Sequence, residues 1–255
     1  DPDDLITSVS GSGNPATDPL MSWNFDTSIE WYPNDDSILT LGYYYKSFQG
    51  GFVTEQQLET FVVDGVEIVK PVAVTQTDGD TSTLWGIEVT AAHNFSYLPG
   101  ILSGLGAKLG YNYGNSDFEF EDSNYGDLYF TDVEGNREQT NIGIVAPGNV
   151  PGFSDNVFSG TVYWGLGGFD ASLIYKYRSE YFQPYTGNGT RLRYVGDVGV
   201  WEARMSYQIN KHLSLSVEGI NLFNEPKKQY FYTTDNLGEV NSYGGRYFIG
   251  LRGKF

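Results

Sequence analysis

The feature that most restricts this chain is a strict alternation of large apolar residues with small or charged ones, repeated in segment after segment. In "SILTLGYYYKSF", Leu39, Leu41, Tyr43 and Tyr45 fall on one face of an extended chain, and Thr40, Gly42, Tyr44 and Lys46 on the other. "HLSLSVEGINLF" repeats the pattern, with Leu213, Leu215 and Val217 set against Ser214, Ser216 and Glu218. A period of two is the signature of a β-strand whose faces meet different surroundings, and no stretch shows a convincing helical period. The palette agrees: 20 Tyr, 16 Phe, 5 Trp and 32 Gly against 2 Met favour strands and turns.

The pattern predicts about nine strands: Met21 to Tyr32, Ser37 to Phe48, Ser82 to Phe95, Leu102 to Phe118, Asp155 to Leu166, Phe169 to Gln183, Val198 to Ile209, Leu213 to Phe223 and Arg246 to Phe255. Their connections alternate in length. "PNDD", "LPG", "GG" and "NKH" are tight turns, whereas long polar connections run at about 50–81, 121–152, 184–197 and 224–245. One face carries Trp23, Phe25, Ile29, Trp31, Val89, Leu109, Leu173, Met205 and Leu251 with no charge among them. The other carries Asp26, Glu30, Glu88, Lys108, Asp170, Glu180, Glu218, Arg252 and Lys254, alongside Lys176, Arg178, Glu202 and Arg204.

Alternation alone fits either a soluble sandwich with its apolar face inside or a membrane barrel with that face outside. The predicted strands exceed the usual length of about 5 to 6 residues and approach the roughly 9 to 11 of a membrane span. Trp31, Phe95, Trp164, Phe169, Tyr207 and Phe255 lie beside the short turns, as an interfacial aromatic girdle requires. Short turns on one rim and long loops on the other complete the pattern of an antiparallel up-and-down transmembrane β-barrel. The chain has no apolar run of about 18 residues that would make a helical span. Its N-terminus, "DPDDLITSVSGSGNP", has neither the basic region nor the apolar core of a signal peptide.

Composition closes off other classes. A formal net charge of −17 argues against a nucleic-acid partner, since nothing neutralises a phosphate backbone. With no cysteine there is no disulfide framework and no thiolate metal site. His93 and His212 stand on a strand and in a turn, without metal-ligand spacing, and no G-x-S-x-G occurs, so neither catalysis nor a cofactor is expected. The acidic groups "DPDD", "DGD" and "EFEDSNYGD" lack the EF-hand spacing for Ca²⁺ and are expected to be solvated loop.

Bacterial single-chain barrels have even strand numbers, so an odd count implies a missing piece, and residues 1–20 read as the tail of another external loop. At this point the residues resemble a family. "GNPATDPLMSWNFDTSIEWYPNDDSILTLGYYYKSFQGGF", "GIEVTAAHNFSYLPGILSGLGAKLGYNYGNSDF", "GGFDASLIYKYRSEYF", "VEGINLFNEP" and "YGGRYFIGLRGKF" are similar, in order and spacing, to the C-terminal half of a TonB-dependent outer-membrane receptor. The nearest likeness is to the proteobacterial branch often linked with oligosaccharide uptake. The resemblance implies that residues 1–255 are the last nine strands of a barrel of about 22, whose N-terminal plug domain is absent from this chain. It also implies a place in the bacterial outer membrane, among its lipid and lipopolysaccharide, with three kinds of partner: the TonB complex, the barrel assembly machinery and a small solute. An oligosaccharide is favoured over a ferric siderophore. A passive porin-like or adhesin-like barrel without a plug, and a soluble β-sandwich, stay open as alternatives.

Three sets of candidate residues follow from this reading. Gly250 and Phe255 fit a C-terminal barrel-assembly signal, from which Phe248 and Gly253 depart. Lys176, Arg178, Glu202 and Arg204 are expected to line the lumen, either as part of a solute path or as a mutually compensated wall. "SEYFQPYTGNGT" and "KKQYFYTTDN" set adjacent rings among Asn, Gln, Thr and Asp, a mixture suited to stacking on sugars and bonding their hydroxyls. Tyr181, Phe182, Tyr185, Tyr230, Phe231 and Tyr232 are therefore the candidate solute-binding residues, with girdle or loop packing as the competing role for their rings.

Overall fold

The computed structural model describes residues 18–49, 52–63, 65–77, 81–119, 127–131, 137–141, 149–183, 193–231 and 234–254. Seventeen strands follow one another: β1 (Ser22–Asn34), β2 (Ser37–Gln49), β3 (Phe52–Val63), β4 (Val66–Thr77), β5 (Thr81–Asn94), β6 (Leu105–Ser116), β7 (Asp127–Thr131), β8 (Arg137–Asn141), β9 (Asn156–Leu166), β10 (Phe169–Arg178), β11 (Tyr181–Phe182), β12 (Arg193–Val195), β13 (Val198–Asn210), β14 (Leu213–Ile220), β15 (Lys227–Phe231), β16 (Leu237–Asn241) and β17 (Arg246–Gly253). Nine of them form one sheet in the order β1-β2-β5-β6-β9-β10-β13-β14-β17. These are the nine segments that alternation marks out. The chain divides into two compact units: residues 26–44 with 84–255, and residues 1–25 with 45–83. The second unit contains the β3–β4 hairpin, paired from Phe52↔Thr77 to Val63↔Val66, with Ile68 buried on it.

In the larger unit, register shows why alternation governs the sheet. Ala107, Val162, Leu173, Ala203, Gly219 and Tyr247 lie opposite one another from β6 through β17, and Leu105, Trp164, Ala171, Met205, Val217 and Ile249 form the next rung. One residue away, Lys108, Thr161, Ile174, Glu202, Ile220 and Arg246 share the opposite face. A slip of one residue would exchange the two sets, so register and sidedness are fixed together. The apolar side chains of the sheet are not covered by protein. Val162 is 54% exposed, Tyr247 68% and Ile249 80%, and the buried apolar residues described are Ile68, Phe182 and Val195, none of them in the nine-stranded sheet. A soluble sandwich would have buried this face; a sheet that leaves it bare needs a different apolar cover.

Three expected strands are shorter in the structure by three residues or more. The one expected from Leu102 begins at Leu105, because Gly100–Gly104 closes a 3-10 turn after Pro99, with Leu102 N donating to Pro99 O at 3.3 Å. That expected from Phe169 to Gln183 stops at Arg178, and Tyr181–Phe182 pairs instead with β12 in a second sheet. The strand expected to reach Phe223 ends at Ile220. Asn221 and Asn224 there both take a φ of 54°, which Asn tolerates better than most residues. The Asn221 amide clamps the turn, accepting from Glu225 N at 2.8 Å and donating to Glu225 O at 3.1 Å.

Two glycine devices hold adjacent strands. Gly167 (φ 61°) and Gly168 (φ 82°) form the two-residue turn between β9 and β10, whose positive dihedrals match strand twist. Elsewhere a ring lies over a glycine on the neighbouring strand: Tyr163 over Gly106, and Tyr175 over Gly199, where an added Cβ would stand 2.5 Å from the Tyr175 hydroxyl. Replacing Gly199 with Ala must lift that ring. We expect a loss of about 1–3 kcal/mol, read as a lowered unfolding midpoint in detergent, and a smaller loss when Tyr175→Leu makes room. The bare face gives a second expectation. Leu173→Arg should cost about 2–4 kcal/mol of folding stability in a bilayer, while Thr161→Arg, on the charged face, costs much less.

Candidate functional site

The described parts of the long connections contain strands. Those after β10 and β14 meet in a four-stranded sheet, β11-β12-β15-β16, with Phe182 opposite Tyr194, Val195 opposite Gln229 and Lys227 opposite Asn241. It has its own small core: Phe182 is 1% exposed and Val195 2%, and the Phe182 and Tyr194 rings lie 5.6 Å apart. Burying two such side chains favours this sheet by a few kcal/mol, on the order of 1.5–3 each.

Arg178 ties this sheet to the end of β10. Its Nε donates to Ser154 Oγ at 2.7 Å, its Nη2 donates to Gly152 O, and its guanidinium lies 3.9 Å from the Tyr181 ring centroid. Ser154, buried, donates its hydroxyl to Ser179 O at 2.9 Å, and Gly152 N donates to Phe182 O at 2.7 Å. Two donations and a ring contact thus set the cation to holding a loop base in place, as a planar guanidinium does well.

Acidic groups around this sheet are perturbed. Burial raises the pKa of Glu180, and the negative charge of Asp197 raises it further. Tyr194 is raised by burial and then by Glu180, and Asp155 by burial. The side-chain oxygens of Gln183 and Gln229 are buried without a hydrogen-bond partner among the described residues, although Gln229 Nε2 donates to Glu239 Oε2 at 3.1 Å. Alternation did not reveal this cluster, because β11 and β12 are two and three residues long and show no period.

Of the aromatic candidates, the structure brings Tyr181, Phe182, Tyr230 and Phe231 together in the sheet. Phe182 is core. Tyr181 carries Arg178, Tyr230 packs over Gly196, where an added Cβ would stand 2.9 Å from the ring, and Phe231 covers Gly238. Tyr185, Tyr232 and Phe255 lie outside the described residues. Gly250 sits in β17 opposite Ser216, whose Oγ is 3.4 Å from Gly250 O. The four charged candidates share one face of β10 and β13. Lys176 Nζ pairs with Glu202 Oε1 at 2.9 Å, and Arg204 Nη2 with Glu218 Oε1 at 2.9 Å. Among the described residues no group of three or more His, Cys, Asp or Glu is placed to hold a metal ion.

The raised Glu180 pKa fixes the sign of a pH effect. Ionisation is harder in the folded sheet than in the unfolded chain, so stability is greatest below the ordinary Glu range and falls as pH rises through it to the raised value. Glu180→Gln should therefore raise hydrogen-exchange protection at neutral pH and not in acid. The amides to follow are Gln183, Gly196 and Phe231, bonded to Arg193 O, Lys228 O and Asn236 O at 2.9, 2.9 and 3.0 Å.

Comparison with known proteins places this geometry. The profile of the family described as "TonB dependent receptor-like, beta-barrel" matches residues 2–222. Among curated proteins there is no match. Similar solved structures include the ferric-catecholate import receptor Fiu from K12 E. coli, at 14% identity and a TM-score of 0.57 over 98% of this chain and 30% of that one. The siderophore receptor PirA from Acinetobacter baumannii aligns at 10% identity and 0.58, over 95% and 33%. The outer membrane transporter YddB from Escherichia coli aligns at 12% and 0.58, over 97% and 35%. The chain thus spans about a third of the length of these structures. Family barrels of this kind lie in the bacterial outer membrane and serve transport receptors rather than enzymes. With its nine-stranded antiparallel sheet, its uncovered apolar face and a match over most of its length, the chain belongs to the TonB-dependent receptor β-barrel family.

Proposed function

We propose that this chain is the barrel wall of an outer-membrane active-transport receptor that captures a scarce solute at the long-connection rim and imports it under the drive of the TonB complex. The observation that carries the reading is the second sheet. Two long connections cooperate in a buried core of their own, which gives capture residues a fixed platform at one end of the wall. In this reading that rim is external, the charged face lines the lumen, the remaining strands of the receptor pair with β1 and β17, and plug movement opens the path. Tyr181, Tyr230 and Phe231 are the proposed contact rings, with Tyr185 and Tyr232, outside the described residues, proposed for the same role, and Phe182 supports the sheet from its core.

An oligosaccharide is the favoured solute. On the charged wall Lys176 and Arg204 are each paired with a carboxylate, and Arg178 is engaged by Gly152, Ser154 and Tyr181. The connection 117–155 adds nine carboxylates against Arg137 alone. Such a field repels anions and leaves neutral solutes unaffected. A ferric siderophore is the second reading, favoured by the likeness to the ferric-catecholate import receptor Fiu and the siderophore receptor PirA.

A deletion strain should grow poorly on one neutral glycan as sole carbon source, normally under iron limitation, and uptake in the wild type should stop when the inner-membrane proton gradient is dissipated. A growth defect only under iron limitation overturns the sugar preference. Uptake that survives loss of the gradient overturns active transport. Tyr230→Ala should weaken glycan capture by about tenfold, with the thermal midpoint of the barrel unchanged.

A further inference from the structure

The apolar face is not uniform. Near the short turns, where β2, β5 and β6 run side by side, it sinks into a hollow of about 280 Å³. Register explains the depression. Ala91 lies opposite Leu109 and Ala107 opposite His93, so small side chains alternate with large ones across β5 and β6, and Leu39 of β2 lines the remaining side. The hollow is inside the sheet, between β1 and β9, and on the face turned away from the charged one. Strands that pair with β1 and β17 leave it as it is.

Two polar side chains interrupt the apolar surface there, both at strand ends. Ser37 opens β2 and His93 is next to last in β5, and Ser37 Oγ lies 2.6 Å from His93 Nδ1. A neutral imidazole has one donor and one acceptor nitrogen. With the Ser37 hydroxyl donating to Nδ1, the ring proton sits on Nε2, which makes no hydrogen bond among the described residues. A donor at the edge of a face bordered by hydrocarbon needs an acceptor. No charged residue lines the hollow, so a phosphate meets no carboxylate in it despite the acidity of the chain.

The surroundings are those of a headgroup layer. His93 packs against Phe95 and Tyr97 with ring centroids 4.8 and 5.8 Å away, as interfacial rings do. Trp164, in the apolar rung with Leu105 and Ala171, donates from Nε1 to Ile101 O at 2.6 Å and ties the connection after β5 to the same side. Ile101 on that connection is 70% exposed.

We propose that this hollow binds one glycerophospholipid of the leaflet at the short-turn rim, which in outer-membrane barrels is the periplasmic one. A segment of acyl chain fills the depression over Ala91 and Ala107, and the phosphate accepts from His93 Nε2. Continuity with the lipid-facing surface decides the occupant. Hydrocarbon is as apolar as Leu, so the chain segment gains only packing contacts and the headgroup bond gives selectivity. The proposal rests on the membrane placement of this face and not on the import reading, so uptake that survives loss of the proton gradient leaves it standing.

The full-length receptor, purified in detergent and stripped of lipid, is titrated with palmitoyl-oleoyl phosphatidylethanolamine or with palmitoyl-oleoyl glycerol, and bound copies are counted by native mass spectrometry. The first phospholipid should bind about tenfold more tightly than the diacylglycerol, the range of one hydrogen bond to a charged acceptor. His93→Phe keeps a ring against Phe95 and Tyr97 and should erase that preference. Ala107→Phe fills the hollow and should weaken both lipids by about tenfold. Heat-modified gel mobility confirms a folded barrel first, and Ala91→Leu replaces Ala107→Phe if the latter does not fold. Equal affinity for the two lipids in the wild type, a preference that survives His93→Phe, or phospholipid binding unchanged by filling the hollow each overturn the proposal. So does a receptor dimer that carries no lipid, which would assign this face to a second copy.

Discussion

Everything in this chain depends on one constraint: a backbone bordered by an apolar medium must satisfy its N–H and C=O groups within the protein. The nine-stranded antiparallel ladder meets that constraint between its edges, and only with the ladder complete can one face remain apolar and uncovered. Sidedness then follows from register. Because Val162, Leu173 and Ala203 lie opposite one another, Thr161, Ile174 and Glu202 must share the other face. The ion pairs on that face, such as Arg204 with Glu218, are partly exposed and contribute about 0–1 kcal/mol each, so they tune the wall rather than hold it.

The two ends of the wall are built by different physics. At the short-turn end, Gly167 and Gly168 reverse the chain in two residues, and nothing but turn geometry is needed. At the other end the connections carry a second sheet that, unlike the first, is arranged as a small soluble domain: Phe182 and Val195 inside, carboxylates around them. In the proposed import reading, capture at such a rim and passage along the charged face join the two ends into one path, and the acidic balance is the argument for an uncharged solute over an anionic one.

The sheet was legible in the sequence because alternation over ten or more residues has no other good explanation; Phe169–Arg178 and Val198–Asn210 both read that way. Its ends were less so. At Asn221 the backbone turns into the left-handed region while the residue types still alternate, so the pattern runs on past the strand. The rim sheet was hidden for the opposite reason, since β11 and β12 are too short to show a period and are defined only by their pairing, Phe182 with Tyr194 and, more than thirty residues away, Tyr194 with Tyr230. The candidate rings were found by composition, and composition did not separate Phe182, which is core, from Tyr230 at the surface of the same sheet.

The central claim is that the uncovered face of the sheet meets hydrocarbon. Nitroxide labels placed one at a time from Gly160 to Trp164 in the full-length receptor, reconstituted in lipid vesicles, test it most directly. Collision with dissolved oxygen should peak at residues 160, 162 and 164, and collision with a water-soluble nickel chelate should peak at 161 and 163. A run in which all five labels report water, or in which the two patterns coincide, would contradict the account.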